Sequence, residues 1–223
     1  MAVWIKKYKL LYALTPRTAS TATATALRKN LGGKQVPNED IRNDAGKVIV
    51  ARKHSKLSEI MKHELIDPAD FNNAVRVTTV RNPFDSVYSL WYKKKYTYVP
   101  LLDDPSSFIH KDQNSVNDML FVKENGFEEW FKKHYDTDET GKTSQGIYKR
   151  WTHQANHIMK FENLAEDFSE LLDKLGVEKK FEIGILNPTE GRKRDYRTAY
   201  TDEMRQIGEK AFAAELKKYN YEF

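Results

Sequence analysis

The chain has 223 residues, 39% hydrophobic and 31% charged, which is ample for one domain with a real core and excludes a disordered chain. Its net charge of +5 is a mild basic excess that favours anionic ligands without naming one. The absence of cysteine excludes a disulfide framework, cysteine-ligated metal and a thiol nucleophile; with no long apolar run, a soluble, cytoplasmic protein without a membrane span is expected.

The first 38 residues carry seven basic side chains and no acidic one, with a Ser/Thr-rich stretch at 19–25. That composition fits an organellar transit peptide. It fits better a retained strand, loop and helix that keep acids away from a bound anion. Lys9–Leu14 predicts a buried strand ended by Thr15-Pro16, and Ser20–Asn30 a helix stopped by Gly32-Gly33. Lys47–Ala51 predicts a second strand, followed by a short helix over Lys56–His63. Ala74–Val80 predicts a third, running through Arg81-Asn82-Pro83 into a helix from about Asp85 to Lys95. The middle, roughly 96–150, is irregular, with helices expected at Val116–Glu124 and Phe127–Tyr135. His157–Phe161 is a fourth strand, Asp167–Leu175 an amphipathic helix, and Thr201 caps one long C-terminal helix to about Tyr219. Short strands alternating with helices predict an α/β fold: a single P-loop-like domain over 1–223, its central, mostly parallel sheet flanked by helices.

Two strand-to-helix junctions carry chemistry. In Thr15-Pro16-Arg17-Thr18-Ala19-Ser20-Thr21, a tight loop aims backbone N–H groups and the positive end of a helix dipole at one point. Thr18, Ser20 and Thr21 offer hydroxyl donors there, and Arg17 offers a fork suited to phosphate or sulfate. The plainer reading is a Ser/Thr-capped turn with a surface arginine. The P-loop signature GxxxxGK[ST] is absent. At the second junction Arg81 leaves the carboxyl end of a central strand, where open α/β sheets bind ligands, and Ser89 follows eight residues later inside the helix. Together they can grip one anion, although Ser89 is also a small packing residue. Asp85 is expected to be the helix N-cap.

These stretches make the chain resemble the sulfotransferases that use 3′-phosphoadenosine 5′-phosphosulfate (PAPS). Residues 16–21 resemble that family's 5′-phosphosulfate loop, and Arg81-Asn82-Pro83-Phe84-Asp85 through Ser89 resembles its 3′-phosphate motif. Ile158-Met159-Lys160-Phe161-Glu162-Asn163-Leu164 resembles the strand and helix late in the fold, and the C-terminal segment from Tyr200 is similar to the membrane-type and carbohydrate-type branch. Ala19 stands where the family usually has glycine, and Arg17 where many members have lysine.

The resemblance implies in-line transfer of a sulfuryl group from PAPS to an acceptor hydroxyl or amine, releasing the 3′,5′-bisphosphate (PAP), with no metal. It places Arg17 at the leaving 5′ end, with Thr18, Ala19, Ser20 and Thr21 around it, and Arg81 and Ser89 at the 3′-phosphate. Arg192, Lys193 and Arg197, in a run with Arg194, either close over the cofactor or form a solvated charge run. His54, after the second strand, is the expected general base; the alternative is a histidine capping the next helix. Glu59 is a weaker rival for base, and His63, His153 and His157 are expected to be structural. Tyr88, Trp91, Tyr92, Tyr96 and Tyr98 surround lysines in a pattern suited to stacking on a sugar, with Tyr88 and Trp91 more in keeping with core. The acceptor, a glycan or a small metabolite, is expected in the 96–150 insertion, and a soluble bacterial- or viral-like member of the family fits. Two other classes share some of these features: a P-loop-like nucleotide kinase or hydrolase, and a non-catalytic nucleic-acid binder. The first lacks its lysine motif and the second any recognisable binding motif, so no nucleic-acid partner is expected. The pattern leaves oligomeric state open.

Overall fold

The computed structural model describes residues 2–136, 147–184, 191–192 and 195–223. In chain order the elements are β1 (Ala2–Ile5), β2 (Leu10–Ala13), α1 (Ser20–Leu31), β3 (Lys34–Val36), β4 (Ile41–Arg42), β5 (Val48–Val50), α2 (Leu57–Lys62), α3 (Pro68–Asn73) and β6 (Val75–Val80). There follow α4 (Pro83–Lys93), α5 (Gln113–Glu124), α6 (Phe127–Tyr135), α7 (Lys149–Thr152), β7 (His157–Lys160), α8 (Leu164–Lys174), α9 (Asp202–Ala211) and α10 (Ala213–Tyr219). The chain divides into two compact units: Met1–Arg81 with Tyr148–Pro188, and Asn82–Ile147 with Thr189–Phe223.

The first unit holds a five-stranded sheet in the order β3-β1-β2-β6-β7. β2 pairs parallel with β6 and β6 with β7, whereas β1 runs antiparallel to both β2 and β3. Four of the five strands therefore point the same way, as a mostly parallel α/β sheet requires. Both faces are covered, so β1 and β2 are apolar at every position instead of alternating. On one face Val3, Ile5, Leu10, Tyr12 and Leu14 meet Ala24 and Leu27 of α1 and Phe168, Leu171 and Leu172 of α8. On the other, Ala2, Trp4, Leu11 and Ala13 meet Leu57 and Ile60 of α2 and Phe71 of α3. The basic N-terminal segment is thus folded structure, with β1 and β2 inside the sheet.

Two sequence expectations change here. The β-branched run at Val48–Val50 does not join the central sheet but pairs with β4 in a separate two-stranded ribbon. A three-residue apolar run looks the same in either setting, and only its partner decides. A place in the main sheet, between β3 and β2, goes instead to β1, whose four residues are obscured in sequence by the lysines that follow.

The second unit packs an aromatic core from α4, α5, α6 and the C-terminal helices: Phe84, Tyr88, Trp91, Phe127, Trp130, Phe131, Met204 and Phe212 are all buried. Tyr88 and Trp91 are core, as their spacing predicts. Thr201 is the cap of α9, its hydroxyl accepting from the Met204 amide at 3.3 Å. The expected single C-terminal helix is two, broken at Phe212, which is buried and ends one helix while opening the next. Among the described residues no helix is long and apolar enough to cross a membrane.

Candidate anion-binding and base site

The first junction lies in the first unit. β2 ends at Ala13, and Thr15 Oγ1 meets Thr78 Oγ1 of the neighbouring parallel strand at 2.5 Å, while Thr78 Oγ1 donates to the Ala13 carbonyl at 3.0 Å. The Thr78 proton is committed to that carbonyl, so Thr15 is the donor between the two hydroxyls. Across the same pair of strands, the Tyr12 hydroxyl of β2 meets Thr79 Oγ1 of β6 at 2.9 Å, and burial pushes the Tyr12 phenol up to about 12 despite its bonds to Thr79 and Thr23. The floor of the loop is therefore a neutral, fully bonded layer tying β2 to β6.

Above it the backbone is strained. Arg17 (φ 64°) and Ala19 (φ 56°) both adopt the left-handed conformation that L-residues avoid. Such strain persists where surrounding contacts over-determine it, and it collects at functional sites. Ala19 is the residue before α1, whose start has no side-chain cap and no acidic residue in its first turn. An uncapped helix N-terminus without acids presents backbone N–H groups and a positive dipole end. The hydroxyls behave differently from expectation. Thr18 Oγ1 and Ser20 Oγ both donate to the Thr15 carbonyl, at 3.0 and 2.5 Å, and both residues are buried. They shape the loop from inside, while Thr21 is exposed on the first turn.

Arg81 continues β6 and is 7% exposed. Its Nη1 donates to the Arg17 carbonyl at 3.1 Å, and its guanidinium carbon lies 4.0 Å from the centroid of the Phe161 ring. A buried charge is tolerable only with partners of this kind. The two arginines that sequence singles out, 64 residues apart, thus meet at the carboxyl ends of adjacent parallel strands.

His54 reaches the same edge by an unforeseen route. It does not follow a central strand, since β5 belongs to the ribbon, yet its Nδ1 lies 2.9 Å from the carbonyl of Leu14, one residue before the loop. A carbonyl only accepts, so Nδ1 carries the proton, and the neutral ring has its lone pair on Nε2. His54 is itself left-handed (φ 61°), and its carbonyl accepts from Trp151 Nε1 at 3.3 Å. Ser55, fully buried, closes the turn by donating to the Ala51 carbonyl at 2.7 Å. Glu59, the rival for base, is instead engaged with Lys56 at 2.5 Å and with the Lys56 amide at 3.0 Å. Burial, and next to it the charge of Lys174, holds His157 below its ordinary value in β7. Sequence reasoning did not single out Phe161 and Trp151 as support for Arg81 and His54; each has only a local signal, an aromatic at the end of a strand and an aromatic in a short helix.

In the second unit, Ser89 is 1% exposed within α4. Asp85 is not the N-cap. Asn82 is, its Oδ1 accepting from the Phe84 amide at 3.1 Å while its Nδ2 donates to the Glu222 carbonyl at 2.6 Å. The shift follows from Pro83, which suits the first position inside a helix and sets the cap one residue earlier. Asp85 instead accepts both Nη1 and Nη2 of Arg192, at 2.6 and 2.8 Å, with each side chain only 11% exposed. Arg192 also lies 5.6 Å from the Tyr88 ring centroid, so it is a packed residue and not part of a solvated run. Arg197 is half-exposed and lies 3.6 Å from Asp195. Lys193 and Arg194 lie outside the described residues. Among the described residues no group of three or more His, Cys, Asp or Glu side chains is placed to hold a metal.

The ends of a mostly parallel α/β sheet thus gather two arginines, an acid-free helix start and a histidine of defined tautomer. The sequence profile described as the sulfotransferase family matches residues 2–222. The chain belongs to the sulfotransferase family. No curated sequence matches it closely enough to supply a nearer relative.

Proposed function

We propose that this protein moves a sulfuryl group from PAPS to a hydroxyl, or an amine, of a glycan or small-molecule acceptor. The observation that carries the reading is the convergence of Arg17, His54 and Arg81 on adjoining strand ends, through the Arg81–Arg17 and His54–Leu14 contacts. The donor bears charge at both its 5′ and 3′ ends, and the sequence supplies a cationic junction for each. Arg17 and the N–H groups opening α1 serve the 5′ end; Arg81, with Ser89 eight residues on, serves the 3′-phosphate. The buried Thr18 and Ser20, with Ala19 between them, set the loop's shape, and Thr21 lies on its outer turn. Lys193 and Arg197 are assigned to the cofactor from their charge, and Arg192 is assigned beside them while its two Nη groups hold Asp85.

Sulfuryl transfer parallels phosphoryl transfer, where a loose transition state leaves the protein mainly positioning and charge stabilisation to supply. As the acceptor oxygen bonds to sulfur, His54 Nε2 takes the hydroxyl proton. The bond between sulfur and the bridging oxygen breaks with its electron pair going to the 5′-phosphate, where Arg17 neutralises the growing charge and the bisphosphate leaves. Side-chain charge then does the electrostatic work, and no metal is assigned. The acceptor is assigned to residues 96–150.

The test is transfer from radiolabelled PAPS to a panel of glycan and phenolic acceptors, alongside calorimetric binding of the bisphosphate. His54→Ala is expected to spare bisphosphate binding and to lose transfer by about 10²–10⁴-fold, the usual contribution of a general base. Full transfer by this variant would move the base elsewhere.

A further inference from the structure

β6 and β7 run parallel with Val80 opposite Lys160, so Arg81 and Phe161 emerge side by side, each one residue past that pair. The Arg81 guanidinium then lies over the Phe161 ring at 4.0 Å while its Nη1 edge bonds the Arg17 carbonyl. One contact restrains the face of the group and the other its edge. Phe161 is itself held on both sides in sequence: the Lys160 amide donates to Asp167 of α8 at 2.5 Å, and α8 begins three residues after the ring. A guanidinium is planar, and its donors point outward in that plane, so fixing the plane fixes where the donors aim. An arginine that rotates freely must lose that freedom on gripping an anion, whereas one already stacked has lost it beforehand.

We infer that Phe161 is a positioning residue for the cofactor's 3′-phosphate: its ring sets the plane in which Arg81 presents its donors. This inference rests on the donor reading proposed above. It specifies aromatic character at position 161, not bulk or hydrophobicity, because a π face attracts the cation and an aliphatic side chain of similar volume does not.

The experiment measures binding of 3′,5′-adenosine bisphosphate by calorimetry to the full chain and to Phe161→Tyr, Phe161→Leu, Arg81→Lys and the Phe161→Leu/Arg81→Lys double variant. Phe161→Tyr keeps the ring and is expected to bind as the parent does. Phe161→Leu is expected to bind about tenfold more weakly, the scale of one partly desolvated cation–π contact. In the Arg81→Lys background, where no planar group remains to be oriented, Phe161→Leu is expected to add little further loss. Binding by Phe161→Leu equal to the parent's, or an equal loss in both backgrounds, overturns the inference and leaves the donor reading standing. Failure of the parent chain itself to bind the bisphosphate overturns both.

Discussion

At Ala19 a single methyl group opposes the loop it belongs to. Its φ of 56° costs an L-residue about 1–2 kcal/mol, whereas glycine there gives up only its extra unfolded freedom, roughly 0.5–1 kcal/mol. Ala19→Gly is therefore expected to raise the urea midpoint, by up to about 1 kcal/mol of stability, and a lowered midpoint would show that the methyl group's packing outweighs its strain. Asp85 presents the opposite case. Its side chain and that of Arg192 are each 11% exposed and joined by two hydrogen bonds to one oxygen. Removing one partner of a buried pair leaves the other charge uncompensated, typically at a cost of 3–5 kcal/mol, more than the pair itself contributes. Asp85→Ala is expected to destabilise by about that amount in urea denaturation, and Asp85→Asn by less, since the amide oxygen still accepts. A silent Asp85→Ala would mean that Arg192 finds another anchor at no cost.

Between elements, α9 approaches α4 by means of a glycine. A Cβ built at Gly208 would lie 2.2 Å from Cε1 and 2.8 Å from Cζ of Phe84, a ring that is fully buried and also packs against Tyr200, Phe212 and Phe223. Helix propensity alone favours Gly208→Ala by about 1 kcal/mol. The clash is expected to reverse that sign and destabilise the protein by about 1–3 kcal/mol, the usual cost of overpacking, as read from the thermal or urea midpoint. A second link between elements joins α5 to α6 through Asp118. Burial works to raise this carboxyl, but bonds from His134, Lys94 and Trp130 outweigh it and hold Asp118 well below the usual carboxylate range. A depressed carboxylate contributes stability that is fully present above about pH 4, its unfolded value, and is lost as pH falls toward its folded one. Stability is thus expected to fall on acidification below about pH 4, and Asp118→Asn to flatten that limb while lowering stability at neutral pH. An unchanged acid limb in the variant would assign the loss to other groups.

Across the whole chain, legibility in sequence tracks how local the determining contact is. β2, β6, α1 and α6 announce themselves through apolar runs and the Gly or Pro residues near their ends, and β7 through its apolar run alone. β1 does not, because Ala2–Ile5 is four residues long and leads straight into Lys6-Lys7. β5 is recognisable as a strand but not by its partner, since pairing is a long-range choice. The site follows the same rule. Arg17 and Arg81 stand at strand-to-helix junctions, where the chemistry of a turn marks them. The supports at Phe161 and Trp151, and the Asp85–Arg192 pair across 107 residues, are set by tertiary contacts that no local pattern records. The buried hydroxyls of Thr18 and Ser20 show the converse: their residue type suggested ligand donors, and the fold uses them to bond Thr15. The proposal that these strand ends form a site for a doubly anionic nucleotide is tested most directly by ligand-dependent stability. The thermal unfolding of the full chain is to be measured with 3′,5′-adenosine bisphosphate, ATP–Mg²⁺ and single-stranded DNA in parallel. The bisphosphate at ~100 times its dissociation constant is expected to add about 2.7 kcal/mol, with Arg17→Ala and Arg81→Ala each weakening the effect. Stabilisation by ATP–Mg²⁺ or DNA alone, with none from the bisphosphate, would contradict it.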